Sequence, residues 1–525
     1  MNLHASKLPD DPDALKEIVL SLATANAEQE RSFQKRIELL EERIRLLTNE
    51  IFGRKSEKQP PEPDQAQLNL FGEAEPEPAP VVEEVTVPAH TRKKRGRKPL
   101  PKDFPVKEVI HDIDEDEKIC GCGTQMIRCG EETAEKLDII PAKMEVIRHI
   151  RYKYACKQCE GVEDDGPTVK IAPVPPQIIP KGIATPGLLA HILVSKFEDA
   201  LPFYRQEKIF DRLGVDLGRA TMCGWAVKVA VQCEVLLKMI GKEIRSGPLI
   251  NIDETPFQVM NEQGRANTTK SYMWVFRGGP PGKIAVVYQY HPSRAGKVPS
   301  EFLKDYQGYI QTDAYKGYDG LEKLPGIYLV GCWAHVRRKF MEVVKAAGKG
   351  KTGHAQTVLD YIGRLYAIEK FGRKSDFTPE QMVALRQEKS TPIIEELYDY
   401  LNGLSGQTPP RGLLGKAVNY ALNNWPVLVR YLENGHITPD NNAAENAIRP
   451  FVVGRKNFLF SGHPKGAAAS ATIYSLIETA KANGLKPYFY LRYLFERLPL
   501  AETEEDYRKL LPMNLTPEEI DLPKQ

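Results

Sequence analysis

Hydrophobic and polar positions change period several times along the chain, and each change marks an element. Phe33, Ile37, Leu40, Ile44, Leu47 and Ile51 alternate spacings of four and three, with Glu38, Glu41, Arg43 and Arg45 off the seam. This heptad stripe lasts about three repeats, the shortest run that argues for a coiled coil; a helix packed on its own domain shows the same stripe. Asp13 and Glu17 suit the start of that helix. Periodicity then vanishes from 56 to 90 in QPPEPDQ and EAEPEPAPVVEE, the composition of an extended linker. Met144, Val146, Ile150, Tyr152 and Tyr154 alternate with the mostly polar Glu145, Ile147, His149, Arg151 and Lys153, which predicts a strand. Helical spacing returns in Phe203–Leu213 and, after a turn at Gly214, in Gly218–Val231. That pair fits a helix-turn-helix or any other αα-hairpin.

From about 247 the period switches from 3.6 to 2. Strands are predicted at Leu249–Asp253, Ser271–Phe276, Lys283–Tyr290, Tyr309–Asp313 and Gly326–Gly331, with a helix near Ser300–Tyr306 and another through Cys332–Phe340. The order β-β-β-α-β-α-β-α describes a mixed sheet with helices on its faces. Residues 341–435 read as mostly helical, for example Thr391–Leu401 and Arg411–Leu432. In the stretch Asp440–Gly462 a helix places Asn442, Glu445, Asn446 and Arg449 on one face and Ala443, Ala444, Ala447 and Ile448 on the other, with Pro450 as its expected end.

Composition refines this picture. With 525 residues and 42% hydrophobic content the chain has the material for about three or four folding units. Net charge is only +2, but acids crowd the segment before residue 90, while basic clusters recur at 92–98, 336–339 and 449–456. Such clusters suit a polyanionic partner. No apolar run of about 18 residues and no charged-then-apolar leader is present, so a soluble, unexported protein is expected. Eight cysteines are too few for a disulfide scaffold. Cys120 and Cys122, with Cys156 and Cys159, form two close pairs that suit structural tetrahedral zinc; Cys129 is an alternative ligand, and unliganded thiols are the other reading. Arg95-Gly96-Arg97 is similar to the core of a hook laid into an A·T-rich minor groove, although basic linkers also bind phosphates without specificity.

Three acids carry the candidate chemistry. Asp253 and Asp313 are expected at the ends of two neighbouring strands, and Glu445 on a helix packed against them. Clustered carboxylates repel, so one must hold a proton unless a cation neutralises them. Hard oxygen donors suit Mg²⁺ or Mn²⁺, and two such ions about 3.5–4 Å apart activate an attacking hydroxyl and stabilise the leaving oxygen of a phosphodiester. Each acid alone also has a bland reading: the aspartates as turn caps, and Asn442 with Glu445 as a capping box.

The motifs IDETPFQV (252–259), QTDAYKGYDG (311–320), CWAHVRRKF (332–340) and DNNAAENAIRPFVVGRKNFLFSG (440–462) resemble those of insertion sequence 66 family transposases. LLTNEIFGRKSEK (46–58), the cysteine module, LPFYRQEKIFDRLGV (201–215) and NGLKPYFYLRYLFERL (483–498) extend the resemblance over nearly the whole chain. It implies a DDE-group enzyme with an RNase H-like catalytic domain, which cleaves the ends of its element and joins the freed 3′-hydroxyls to target DNA. The alternatives are a catalytically silent DNA-binding descendant and an RNase H-like nuclease. The family triad falls on Asp253, Asp313 and Glu445, with Asp253 bridging two metal ions and the others holding one each. Asn442, Arg449, Arg337, Arg338, Arg455 and Lys456 then line a DNA groove with His335, which also reads as a core histidine. Two departures stand out: Val452 occupies the position seven after the glutamate, where many DDE enzymes carry a basic residue, and the first cysteine pair is one residue short.

The implied layout is a helix or coiled coil (1–55), a linker with a basic end (56–100), a zinc-binding-like module (101–170) and a helical DNA-binding-like region (181–245). The catalytic domain (246–480) follows, with its helical insertion (341–435), and then a C-terminal helical segment (481–525). The implied partners are element ends and target DNA, a second copy of the chain or a higher synaptic assembly, and accessory proteins. The implied location is cytoplasmic, on the bacterial nucleoid.

Overall fold

A computed structural model describes residues 11–52, 144–155, 169–313, 315–318, 320–347 and 353–520. Residues 1–56 and 172–525 form one compact unit, and residues 57–171 a second. Arg95, Arg97, Cys120, Cys122, Cys129, Cys156 and Cys159 lie outside the described residues.

The larger unit opens with α1 (Pro12–Phe52), a continuous helix of 41 residues. It lies against the insertion helices, where the Glu42 carboxylate accepts the N–H of Leu413 at 3.1 Å. An acid at that helix N-terminus satisfies a free donor and complements the helix dipole. The heptad residues Phe33, Ile37, Leu40 and Ile44 face solvent instead.

In the smaller unit, β1 (Lys153–Ala155) pairs antiparallel with β2 (Val169–Ile171). The strand expected from Met144 is shorter than its alternation implies. Residues 144–152 are exposed and carry no regular structure. Alternation marks a face, but a strand also needs a neighbour for its N–H and C=O groups.

Four helices follow: α2 (Pro186–Phe197), α3 (Phe203–Arg212), α4 (Arg219–Gln232) and α5 (Glu234–Arg245). Thr185 caps α2, and Glu207 on α3 accepts the first N–H of α4, from Arg219, at 2.9 Å. Then come β3 (Leu249–Val259), β4 (Lys270–Gly278), β5 (Ala285–His291), α6 (Lys297–Phe302), β6 (Gly308–Gln311) and β7 (Ile327–Val330). Two short 3₁₀ turns, not a helix, connect β6 to β7. Next come α7 (Trp333–Ala347) and, across the stretch expected to be a helical insertion, α8 (His354–Lys374), α9 (Pro379–Leu385), α10 (Thr391–Ser405), α11 (Leu413–Asn423) and α12 (Trp425–Leu428). The chain returns through α13 (Asn442–Phe458), β8 (Phe460–Ser461), α14 (Pro464–Ala482), α15 (Pro487–Arg497), α16 (Glu504–Lys509) and α17 (Pro517–Ile520).

The sheet order is β5-β4-β3-β6-β7, with β3, β4 and β5 antiparallel and β6 and β7 parallel to β3. Met273, Trp274, Val275 and Phe276 of β4 are all buried, as expected for a strand covered on both faces. β5 is an edge, and α14 closes it with hydroxyls. Thr479 accepts the N–H of Val286 at 3.0 Å and donates to its carbonyl at 2.9 Å, and Ser475 accepts the N–H of Tyr288 at 2.8 Å. Covering an edge in this way removes a template for strand addition. Among the described residues, no single helix is long and apolar enough to cross a membrane.

α7 and the helices that follow it share a second core, built on Trp333, Val336, Phe340, Val358, Ile362, Leu397, Leu401 and Val418. At its edge Arg386, with a side chain only 1% exposed, forms a two-point pair with Glu369 at 2.7 and 2.8 Å. Its remaining donors reach the carbonyls of Tyr431, Asn434 and Ile437 at 2.7, 2.9 and 2.8 Å. Every guanidinium N–H is thereby satisfied. Arg386→Ala is expected to cost about 3–5 kcal/mol, because it leaves Glu369 buried and unpaired, whereas Arg386→Met with Glu369→Leu costs less. Urea unfolding followed by tryptophan fluorescence checks this, since Trp225, Trp274, Trp333 and Trp425 all lie in this unit.

Candidate active site

β3 is paired on one edge in two separate places. β6 pairs with Leu249–Asn251 and β8 with Gln258–Val259, leaving the stretch between them without a strand on that side. Side chains of α13 and its cap fill the gap. Asn441 donates to the Ile252 carbonyl at 2.9 Å, and Arg455 donates to the Thr255 hydroxyl at 2.8 Å and to the Pro256 carbonyl. Asp253 stands in this open stretch. It lies mid-strand, not at a strand end, because the β4 pairing carries β3 on to Gln258.

A buried amide network joins the three elements that carry the acids. Asn251 donates to Gln311 at 2.9 Å and to Asn441 at 3.1 Å, and Gln311 donates to the Thr438 carbonyl at 2.7 Å. Asn251 and Gln311 each sit two residues before an aspartate, and Asn441 sits four before Glu445. Residues two apart share a strand face, and residues four apart share a helix face. The network therefore sets the register of all three acids at once. These amides were not among the residues expected from sequence, although a polar residue inside each apolar strand (LINI and YIQ) was a visible signal.

Glu254, next to Asp253, is held in a separate cluster. Arg294 donates to it at 2.5 Å, the Tyr318 hydroxyl also donates to it, and the Arg294 guanidinium lies 3.5 Å over the Tyr315 ring. This anchors the turn that follows Asp313. Burial raises the Glu254 carboxyl, with the Tyr318 and Arg294 contacts opposing. Asp253 is pushed up to about 8 by burial and by the Glu254 charge. Asp313 and Glu445 add to the rise, and the Glu254 N–H opposes it. Asp253 therefore feels the charge of both other expected acids, although burial and Glu254 are the larger causes of its rise. Asp253, Asp313 and Glu445 offer hard oxygen donors, the kind that suits a divalent ion.

Glu445 is not spent on capping. Asp440 accepts the N–H of Asn442 at 3.1 Å, and Asn441, not Asn442, is the N-cap residue. The Glu445 carboxylate instead receives one Arg338 nitrogen at 3.2 Å from each oxygen, with His335 Nδ1 3.8 Å away. Cys332, His335 and Glu445 bring ligand atoms within 4.8 Å of one another. Burial lowers the His335 pKa, the Arg338 charge adds to this, and Glu445 and Asp313 oppose it.

Of the residues expected on a DNA groove, Arg337, Arg338, Asn442, Arg449 and Lys456 are exposed, whereas Arg455 is turned into the β3 gap. α13 does not end at Pro450 but continues to Phe458. A mid-helix proline costs about 3 kcal/mol, and burial of Ala447, Ile448, Phe451 and Gly454 on both sides of it offsets that.

Comparison with known proteins follows the same layout. The model of the transposase IS66 family matches residues 181–469, and that of the zinc-finger binding domain of transposase IS66 matches residues 117–160. The model described as transposase C of IS166 homeodomain matches residues 39–109, and the IS66 C-terminal element matches residues 475–513. Three uncharacterized proteins of Sinorhizobium fredii are similar. Protein y4qI is 30% identical over 99% of this chain and 100% of its own length. Protein y4jD is 32% identical over 99% of each chain. Protein y4hP is 28% identical over 87% of this chain and 85% of its own.

The Asp253 shift predicts a pH dependence. Its carboxyl titrates near 8 when folded without metal and near about 4 when unfolded. A raised folded pKa gives stability that is present at low pH and lost as pH climbs through this window. Metal-free protein is expected to become progressively less resistant to urea from about pH 4 to 8. Asp253→Asn protein should show a flatter profile, and parallel profiles would count against this role for Asp253.

Proposed function

The chain belongs to the IS66 transposase family, and on that premise we propose that it cleaves phosphodiester bonds at the ends of an insertion sequence and joins the freed 3′-hydroxyls to target DNA. The observation that carries this reading is the amide-locked register of Asp253, Asp313 and Glu445, with Asp253 feeling the charge of both other acids. The sheet order, with three antiparallel strands followed by two parallel ones, supports an RNase H-like catalytic domain spanning residues 246–480.

In this mechanism Asp253, Asp313 and Glu445 would together hold Mg²⁺ or Mn²⁺, with Asp253 as the central ligand. Bound ions of this kind supply activation of the attacking water or 3′-hydroxyl and stabilisation of the leaving oxygen. The chain's own work is placement. Asn442 and Arg449 lie about one turn to either side of Glu445 and are exposed, positioned to orient phosphates next to the carboxylates. Arg337 and Lys456 extend that basic surface, while Arg455 contributes by closing the β3 gap. In the smaller unit, Cys120, Cys122, Cys156 and Cys159 hold a structural zinc ion; the zinc-finger match over 117–160 supports this. The exposed heptad face of α1 fits a second copy of the chain, since synapsis of two ends calls for paired subunits.

In a Mg²⁺-dependent assay on duplexes carrying the element ends, wild-type protein is expected to cut. Asp313→Asn should lose more than the roughly 100-fold that outer-shell changes cost. Undiminished cutting by that variant would remove Asp313 from the site. Light scattering should give a dimer mass for the full chain and a monomer mass when residues 1–52 are deleted.

A further inference from the structure

Glu445 faces two competing claims. Both of its oxygens accept from the same Arg338 nitrogen at 3.2 Å, and the positive charge held against the carboxylate opposes the approach of a divalent cation. The partners differ in freedom. The Glu445 side chain is 25% exposed and fixed on α13, whereas Arg338 is 55% exposed on the first turns of α7. Nearby, His335 Nδ1 is buried with no hydrogen-bond partner among the described residues, so it does not replace Arg338 as a donor to the carboxylate. Arg337 and Arg449, both exposed, flank the pair and make this a surface that attracts phosphate.

Resting on the transposase reading, we propose that Arg338 is a DNA-operated gate on metal loading. In the DNA-free chain it neutralises Glu445 and keeps the carboxylate from a divalent ion. When a DNA phosphate arrives, the guanidinium moves to it, because a phosphate matches the fork at least as well as a carboxylate does. Glu445 is then released to complete the site. An exposed ion pair is weak enough for this exchange. Arg338 acts through Glu445 and is a positioning residue. By linkage, DNA tightens metal binding by the same factor by which metal tightens DNA binding. The device confines a fully charged metal site to the moment when substrate is present.

The test measures Mn²⁺ binding, not turnover. Free Mn²⁺ is followed by electron paramagnetic resonance as full-length protein is titrated, with and without an end duplex, and uptake by the duplex alone is subtracted. For wild type, DNA is expected to tighten Mn²⁺ binding about fivefold or more. Arg338→Gln should bind Mn²⁺ more tightly than wild type without DNA and show little further change when DNA is added. Arg338→Lys, which keeps the charge but loses the fork, should fall between them. Tryptophan fluorescence confirms that the variants are folded. Equal or weaker Mn²⁺ binding by DNA-free Arg338→Gln overturns the gate, and if end cleavage persists the transposase reading stands. Absence of Mn²⁺ binding in every protein, with or without DNA, overturns the gate and the metal reading together.

Discussion

Three amide side chains, Asn251, Gln311 and Asn441, hold the structure to one register. Each is almost fully buried, and each finds its partners only in an element distant in sequence. A buried amide left unpaired costs about 1–3 kcal/mol, so a slip of β6 or α13 by one residue is penalised at several atoms together. Apolar packing alone would tolerate such a slip more readily, because neighbouring alkyl groups are interchangeable. The amides convert a sheet with helices into a sheet whose acids arrive at a defined place.

That precision is needed because the acids resist being gathered. Asp253 and Glu254 are consecutive on one strand and therefore point to opposite faces, and the two are neutralised differently. Glu254 has permanent partners in Arg294 and Tyr318, and so becomes part of the scaffold under the turn after Asp313. Among the described residues Asp253 has a single hydrogen-bond donor, the Glu254 N–H, and burial pushes its pKa up to about 8. Glu445 is paired with Arg338, whose side chain is itself more than half exposed. Identical chemistry thus takes three forms, graded by what counter-charge or donor each carboxylate has.

Much of this was legible in the sequence. Period-two stretches located the strands, and the faces of α13 followed from spacing, because both depend on local geometry. The helix's passage through Pro450 was not legible, since burial of Phe451 and Gly454 is a tertiary effect that outweighs a local rule. Nor was the mid-strand place of Asp253, which depends on how far the β4 hairpin extends. Nothing local marks Arg386 for burial; Glu369 and three carbonyls come to it from other segments. The amide network was visible as polar interruptions, but nothing local identified their partners.

The insertion then has a physical reason to sit where it does. It separates β7 from α13 by more than 100 residues, a separation that by itself leaves Glu445 free to wander. Arg386 ends that freedom by gripping the carbonyls of Tyr431, Asn434 and Ile437, the last residues before the α13 cap. The Gln311 bond to Thr438 takes over at the next residue, and Asn441 completes the path to the sheet. One chain of hydrogen bonds therefore runs from Arg386 to the helix that carries Glu445. A change in the insertion can reach the acids without touching them, because the segment that carries Glu445 is held from both ends of that path.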